Sequence, residues 1–457
     1  MKTLRQYQRE DVDQLKGHLT HGVFNEQRTG KTPTTLVAMC EDLVGRVVII
    51  CTASMQYVWR AEALAWTTHT PYIYAGDKRE DIFSAYARDN KGILIMSYDL
   101  FRSTRTSNGM IDRVKSSKPV GLIVDECHRA VGRKTANFKS LDRLRHIPKR
   151  YYLTGTPAPN HPSQVWSLLR LMDPIKFSSF WRFAEEFFDM DEQRLPSHVA
   201  ARTGIDCVRE PAGFIPGKQD DYTQLLSEHS IMRKRVDVMP WLPKQEAPTR
   251  VTLPTTFSQR KYLSALAEFY EVEDVIVQGV LDQMLRYRQI CLAPALLGLA
   301  GSSPKIDWLA DYLNDYPDKS IVIFSRFTQF IHLIKKKLGG CCEIVVGATK
   351  ADDRYQLIKS FQAGELKCLV IQIDAGKEGI TLDQADTLIF TDTFPPASDI
   401  LQARDRIVAT SEGVSKPKEI IELAMEGTYD EELYNVVDRR IAITDVANNY
   451  IRYLKGV

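Results

Sequence analysis

Gly121-Leu122-Ile123-Val124-Asp125-Glu126-Cys127-His128 is a short apolar run that ends abruptly in two adjacent carboxylates. An apolar run without polar alternation suits a strand buried on both faces, as in a parallel sheet covered by helices. The same signature recurs at Val47 to Cys51, Ile93 to Met96 and Tyr151 to Leu153, with helical patterns between. A second set follows at Ile321 to Phe324, Glu343 to Val346, Cys368 to Ile373, Thr387 to Phe390 and Ile420 to Leu423. The spacing predicts an α/β chain with two parallel-sheet units, residues 1–172 and 301–457, flanking a mostly helical middle over 173–300.

In that middle, Phe177, Phe180, Trp181, Ala184, Phe187 and Phe188 recur at helical spacing. They predict a packed helix face in preference to an exposed base-stacking platform. Over 189–221 the periodicity fades, and Pro211, Gly213, Pro216 and Gly217 predict an exposed loop.

Composition bounds the function. At 457 residues the chain exceeds what one core organises, and its apolar share of 44% suffices for several. Sixty basic against 58 acidic residues leave a formal charge of only +2, so a polyanionic partner must be held by a local groove. The eight cysteines form no C-x-x-C pair, which predicts a reducing, cytoplasmic setting. No secretory h-region follows the N-terminal charges and no uninterrupted apolar stretch is long enough to span a bilayer, so no membrane partner is expected.

Gly30-Lys31-Thr32 follows the apolar pair Val23-Phe24 and precedes a helical pattern carrying Leu36, Val37, Cys40 and Leu43. Strand, turn and helix are the setting that a Walker A phosphate loop requires. Backbone N–H groups and the helix dipole favour phosphate, Lys31 adds a positive charge, and Thr32 offers a hydroxyl to Mg²⁺. Three residues alone also fit a chance loop, and position 25, where the full pattern has glycine, is Asn25. Phosphoryl transfer to water further needs a carboxylate on Mg²⁺ and a group that orients the attacking water. Asp125 is assigned to the metal and Glu126 to the water; alone, the same tetrapeptide also reads as a strand followed by a solvated acidic turn.

Asp125-Glu126-Cys127-His128 resembles the D-E-x-H box of superfamily 2 helicases, and further blocks follow in that family's order. Leu4-Arg5-Gln6-Tyr7-Gln8 is similar to the L-R-x-Y-Q element of the Swi/Snf-like branch, which implies nucleotide contacts from Arg5 and Gln8, with Gln8 reading adenine. Asn25 to Thr32 resembles that branch's D-E-x-G-x-G-K-T, with Asn25 and Arg28 as departures and Thr29, Gly30, Lys31 and Thr32 as implied ATP ligands. Leu153-Thr154-Gly155-Thr156-Pro157 resembles motif III, implying that Thr154 and Thr156, with His128, couple nucleotide state to the second lobe. Val322 to Arg326 resembles motif IV, and Gly376-Lys377-Glu378-Gly379-Ile380-Thr381-Leu382 resembles motif V. Nucleic-acid contacts are implied for Thr52, Ser97, Tyr98, Arg326, Gly376 and Lys377, and a nucleotide contact for Gly379. Gln402-Ala403-Arg404-Asp405-Arg406 is similar to the opening of motif VI, which implies catalytic roles for Gln402 and for Arg406 as an arginine finger, with Arg404 as the weaker candidate. Ala409 stands where the family carries another arginine.

The resemblance implies two tandem RecA-like lobes with a mostly helical insertion, ATP and Mg²⁺ as cofactors, and a monomer that steps along DNA in a largely sequence-independent way. The expected activity is ATP-driven remodelling of branched DNA at forks or Holliday junctions. Displacement of bound proteins on duplex and a nucleotide-gated DNA-binding module are the alternatives. A bacterial or phage source is expected, hence the cytoplasm of a bacterial or phage-infected cell. The basic residues after the acidic box, among them Arg129, Arg133, Lys139, Arg143, Arg145, Lys149 and Arg150, fit either a DNA footprint or a solvated helix face.

Overall fold

The computed structural model describes residues 3–41, 45–102, 109–158, 161–194, 207–241, 247–269, 271–276, 280–376, 382–392, 403–404, 418–428, 430–431 and 433–434. Contacts gather the chain into two compact units, one reaching to Pro240 and the other starting at Trp241. The stretch 173–300 is therefore shared between them at that boundary.

Among its described residues the first unit is built on seven parallel strands: β1 (Thr20–Val23), β2 (Val47–Cys51), β3 (Thr70–Ile73), β4 (Gly92–Ser97), β5 (Gly121–Val124), β6 (Lys149–Leu153) and β9 (Ser230–Ile231). They lie in the order β3-β4-β2-β5-β6-β1-β9. Successive residues of a strand serve opposite cores. Val48, Ile50, Leu94, Leu122 and Val124 pack on one face, and Val47, Ile49, Ile93, Ile95 and Ile123 on the other. This division explains why the runs are apolar at every position. The edge strand β3 escapes the apolar signature because it is half exposed and carries Pro71, which a sheet tolerates at its margin.

Residues 189–221 depart from the expected loop. An antiparallel ribbon forms from β7 (Phe188–Arg194) and β8 (Cys207–Phe214), with a register irregularity between Phe188 and Met190. A two-stranded ribbon has free outer edges, so Pro211 fits within β8 opposite Met190. Its base is pinned by aromatic packing: the Phe188 and Phe214 rings lie 4.7 Å apart, and Tyr222 sits 5.1 Å from Phe214. The helix before the ribbon spans Phe180–Phe187 and buries Phe183, Ala184 and Phe187; of the expected face, Phe180 and Trp181 are only partly buried, and Phe177 and Phe188 are buried but lie outside this helix, Phe188 opening β7.

Among its described residues the second unit carries six parallel strands: β10 (Thr249–Leu253), β13 (Ile321–Ser325), β14 (Glu343–Val345), β15 (Cys368–Gln372), β16 (Thr387–Phe390) and β17 (Glu419–Met425), in the order β10-β17-β16-β13-β15-β14. Between β10 and β13 lie a small hairpin, β11 (Glu271–Val272) with β12 (Val275–Ile276), and helices with their own cluster of Tyr262, Leu266, Val272, Ile290 and Leu299. No described helix is long and apolar enough to cross a membrane.

Candidate nucleotide site

Because the strands of the first sheet are parallel, the loops after β1, β2, β4, β5 and β6 emerge along its carboxyl edge, where α/β sheets bind ligands. Those loops carry Asn25 to Gly30, Thr52, Ser97, Asp125 and Thr154.

The phosphate loop enters helix α2 (Lys31–Cys40) through Gly30, whose φ of 81° lies in the left-handed region. A Cβ at Gly30 would stand 2.1 Å from Gln8 Nε2, so a side chain here would be strained and would displace the Gln8 amide. Gln8 lies on helix α1 (Gln6–Lys16), donates to the Thr29 carbonyl at 3.1 Å and accepts from the Arg5 N–H at 2.9 Å. Tyr7 donates to the same carbonyl at 2.8 Å. Lys31 Nζ lies within the loop, on the carbonyls of Asn25 at 2.9 Å and Glu26 at 3.1 Å.

Both departures from the family loop have structural consequences. Asn25 is buried, donates to Asp11 at 2.9 Å and accepts from the Arg233 N–H at 2.8 Å. Arg233 also donates Nε to Asp11 at 2.9 Å, while the Glu26 N–H reaches the Arg233 carbonyl. Burial raises the Asp11 carboxyl, and Arg233 opposes that shift. Asn25 thus ties the loop to α1 and to the chain leaving β9. Arg28 has φ of 66°, in the left-handed region where an L side chain costs about 1–2 kcal/mol. Arg28→Gly is expected to stabilise the first unit by about 0.5–1 kcal/mol, since glycine's larger unfolded-state entropy offsets part of that strain. An unchanged or lower urea midpoint would contradict this.

The carboxylates are held from several sides. Asp125 accepts from the Trp59 indole at 2.8 Å and from the Glu126 N–H at 2.9 Å. Tyr98 donates its hydroxyl to the Asp125 carbonyl at 2.7 Å. Glu126 itself turns with φ 46° and ψ 48°, another left-handed non-glycine residue. Its Oε2 lies 3.2 Å from His128 Nδ1, which also faces Thr154 Oγ1 at 3.1 Å. Thr154 Oγ1 in turn accepts from the Thr156 N–H at 3.0 Å. Glu126, His128, Thr154 and Thr156 therefore form one line of polar contacts between the two loops. Burial drives the Cys127 thiol well up, helped by both carboxylates and opposed by Lys31, so Lys31 and the carboxylates act on one neighbourhood.

Among the described residues no group of three or more His, Cys, Asp or Glu side chains forms a metal cage. The donor set nonetheless fits Mg²⁺, which takes one or two protein oxygens and fills its remaining positions with phosphate and water. Asp125 and Thr32 would hold it.

The expected nucleic-acid residues of this unit are turned inwards. Thr52 and Ser97 are buried, Ser97 accepts from the Leu100 N–H as a helix cap, and the Tyr98 side chain is committed to the carboxylate turn. The basic residues after the box are mostly engaged within the protein. Arg133 lies over Phe180 and Trp181, Lys149 donates to the Ala38 carbonyl, Arg150 donates to the Ile147 carbonyl, and Arg143 pairs with Asp112.

In the second unit, Arg326 follows β13 and donates its N–H to the buried Asp392 at 3.1 Å. Asp392 also takes Ser325 Oγ at 2.8 Å and Arg288 at 3.2 Å. Gly376 ends the short helix Ile373–Gly376 after β15. Lys377, Gly379, Gln402, Arg406 and Ala409 lie outside the described residues. Arg404 is buried and paired with Glu422, which also receives Arg250 at 3.1 Å.

A phosphate loop entering a helix, a carboxylate pair on the same edge of a parallel sheet, and a second parallel-sheet unit define a helicase-like ATPase core with two RecA-like lobes. The SNF2-related domain model matches residues 5–296 and the helicase conserved C-terminal domain model matches residues 304–409. The chain belongs to the SNF2-related family. Chromodomain-helicase-DNA-binding protein 8 of Xenopus tropicalis is 26% identical, over 96% of this chain and 21% of its own length. The probable ATP-dependent DNA helicase CHR23 of Arabidopsis thaliana is 25% identical, over 96% of this chain and 43% of its own. The chain thus spans less than half the length of these curated relatives. The Sulfolobus solfataricus SWI2/SNF2 ATPase core in complex with dsDNA is similar at a TM-score of 0.41 and 18% identity, covering 97% of this chain and 92% of that one.

Trp59 and Asp392 are parts of these networks that no sequence motif marks, and Asn25 stood out only as a departure from the family loop. Trp59 carried only the signal of an aromatic on an amphipathic helix, which reads as ordinary core.

Proposed function

We propose that this chain is an ATP- and Mg²⁺-dependent motor that works on DNA as a monomer and remodels branched DNA in replication, recombination or repair. The observation that carries the reading is the carboxyl-edge constellation of Lys31, Asp125, Glu126, His128 and Thr154. Lys31 and the α2 N-terminus would bind the phosphates, and Gln8, placed against the loop, would contact the base. Glu126, oriented by its left-handed turn and by His128, would orient the water and accept its proton. Mg²⁺, when bound, supplies charge neutralisation at the phosphates.

The relatives' names place DNA and ATP among their own ligands, which supports DNA as the track here. Branch migration suits this motor because each base pair broken is offset by one formed, whereas net unwinding costs about 1.4 kcal/mol of stacking per step. Phosphate contacts dominate such binding, so it would weaken steeply with salt. The test is ATP turnover with single-stranded, linear duplex and four-way-junction DNA, with Lys31→Ala as the inactive control, alongside a gel assay of junction resolution. Strongest stimulation by the junction, with its resolution, is expected. Stimulation by duplex without resolution would favour protein displacement, and binding to DNA without turnover would favour a nucleotide-gated binding module.

A further inference from the structure

Two aromatic side chains that reach the hydrolytic turn come from the elements that follow the expected nucleic-acid loops. After Thr52 the chain makes a short turn, Ala53–Met55, and enters helix α3 (Gln56–Trp66). Trp59, in the first turn of α3, is fully buried and donates its indole N–H to Asp125 Oδ2 at 2.8 Å. Tyr98 directly follows Ser97 at the end of β4 and donates to the carbonyls of Asp125 at 2.7 Å and Glu126 at 3.3 Å. The two bonds act on different parts of the turn. Trp59 fixes a carboxylate oxygen, whereas Tyr98 fixes the backbone from which the Glu126 side chain departs.

We propose that Trp59 and Tyr98 are positioning residues for ATP hydrolysis, Trp59 setting the metal-binding carboxylate and Tyr98 the water-orienting one, and that they link the Thr52 and Ser97 loops to both. The proposal rests on the ATPase reading above. Asp125 Oδ1 is turned to the Glu126 N–H and Oδ2 to the indole, so the carboxylate plane is fixed by two donors at once. Groups that orient a metal ligand typically change metal affinity or activity by about 10–100-fold when removed. A ligand that shifts the Thr52 loop would move the first turn of α3, and with it the indole. One at the Ser97 loop would move the phenol. This gives nucleic acid a direct route to the carboxylates through neighbouring hydrogen bonds.

The test compares Trp59→Phe and Tyr98→Phe with the wild-type chain. Mn²⁺ affinity is measured in the presence of ADP by electron paramagnetic resonance, and ATP turnover is titrated with Mg²⁺, with and without duplex DNA. Trp59→Phe is expected to weaken Mn²⁺ binding about tenfold and to regain part of its turnover at high Mg²⁺. Tyr98→Phe removes one oxygen and little packing, so it serves where the tryptophan variant is unstable. It is expected to keep its Mn²⁺ affinity, to lose turnover about tenfold, and to respond less to DNA. Wild-type Mn²⁺ affinity in a folded Trp59→Phe, or wild-type turnover and DNA response in Tyr98→Phe, would overturn the positioning roles while leaving the ATPase reading standing. A wild-type chain that neither binds nor hydrolyses ATP would overturn both.

Discussion

Glu126→Gln is expected to retain ATP binding while lowering turnover by about 10²–10⁴-fold, the contribution of a positioned general base. Glutamine keeps the size of the side chain and the left-handed turn at 46°, but it cannot take a proton from water. Lys31 Nζ donates to the Asn25 and Glu26 carbonyls of its own loop, and the substitution leaves those bonds in place. Binding and chemistry should therefore separate. A fluorescent nucleotide would bind the variant about as tightly as the wild type, while phosphate release falls steeply. Turnover within a few-fold of wild type would show that another group serves the water and would remove Glu126 from the mechanism.

Lys305→Met is expected to destabilise the second unit by about 3–5 kcal/mol, the usual consequence of stranding a buried charge. Lys305 is fully buried on the helix Pro304–Asp315. Its ammonium is shared by the Thr391 carbonyl at 2.6 Å, the Leu423 carbonyl at 3.0 Å and the Asp430 carboxylate. Methionine fills a similar volume but leaves Asp430 with only the Met425 N–H at 3.2 Å among its described partners. The double variant Lys305→Met/Asp430→Leu should recover much of the loss, since removing both charges of a buried pair is often near neutral. Urea denaturation of the three chains gives the comparison. A single variant within about 1 kcal/mol of wild type would mean that water reaches Asp430 and relieves it.

The fold was legible wherever strands are buried on both faces. The runs at 47–51, 121–124, 321–325 and 387–390 declare themselves because two cores leave no room for polar positions. Strands that lie at margins did not. Thr70–Ile73 is half exposed, Ser230–Ile231 is two residues long, and the ribbon strands Phe188–Arg194 and Cys207–Phe214 are mostly exposed with mixed charge, so neither periodicity nor composition marks them. Residue identity at the phosphate loop and acidic box was legible because the chemistry fixes the residue types. What holds those residues was not. The Trp59 bond joins positions 66 apart in sequence, and the Arg233 bond to Asp11 joins positions 222 apart. Pairings of that kind are created by topology. Arg404 is a further case: its partner Glu422 lies 18 positions on in sequence, and only the folded sheet brings the two together.

The second sheet places its earliest strand, β10, against its latest, β17, in parallel register from Thr249↔Ile421 to Leu253↔Met425. A growing polypeptide therefore cannot finish this sheet until Met425 has left the ribosome. Until then β10 has no neighbour, the rim of β16 is bare, and Arg250, Lys305 and Arg404 wait for Glu422 and Asp430. Proteolytic trimming after β16 and before Glu419 should return the lobe to that immature state, with an open strand rim that invites aggregation.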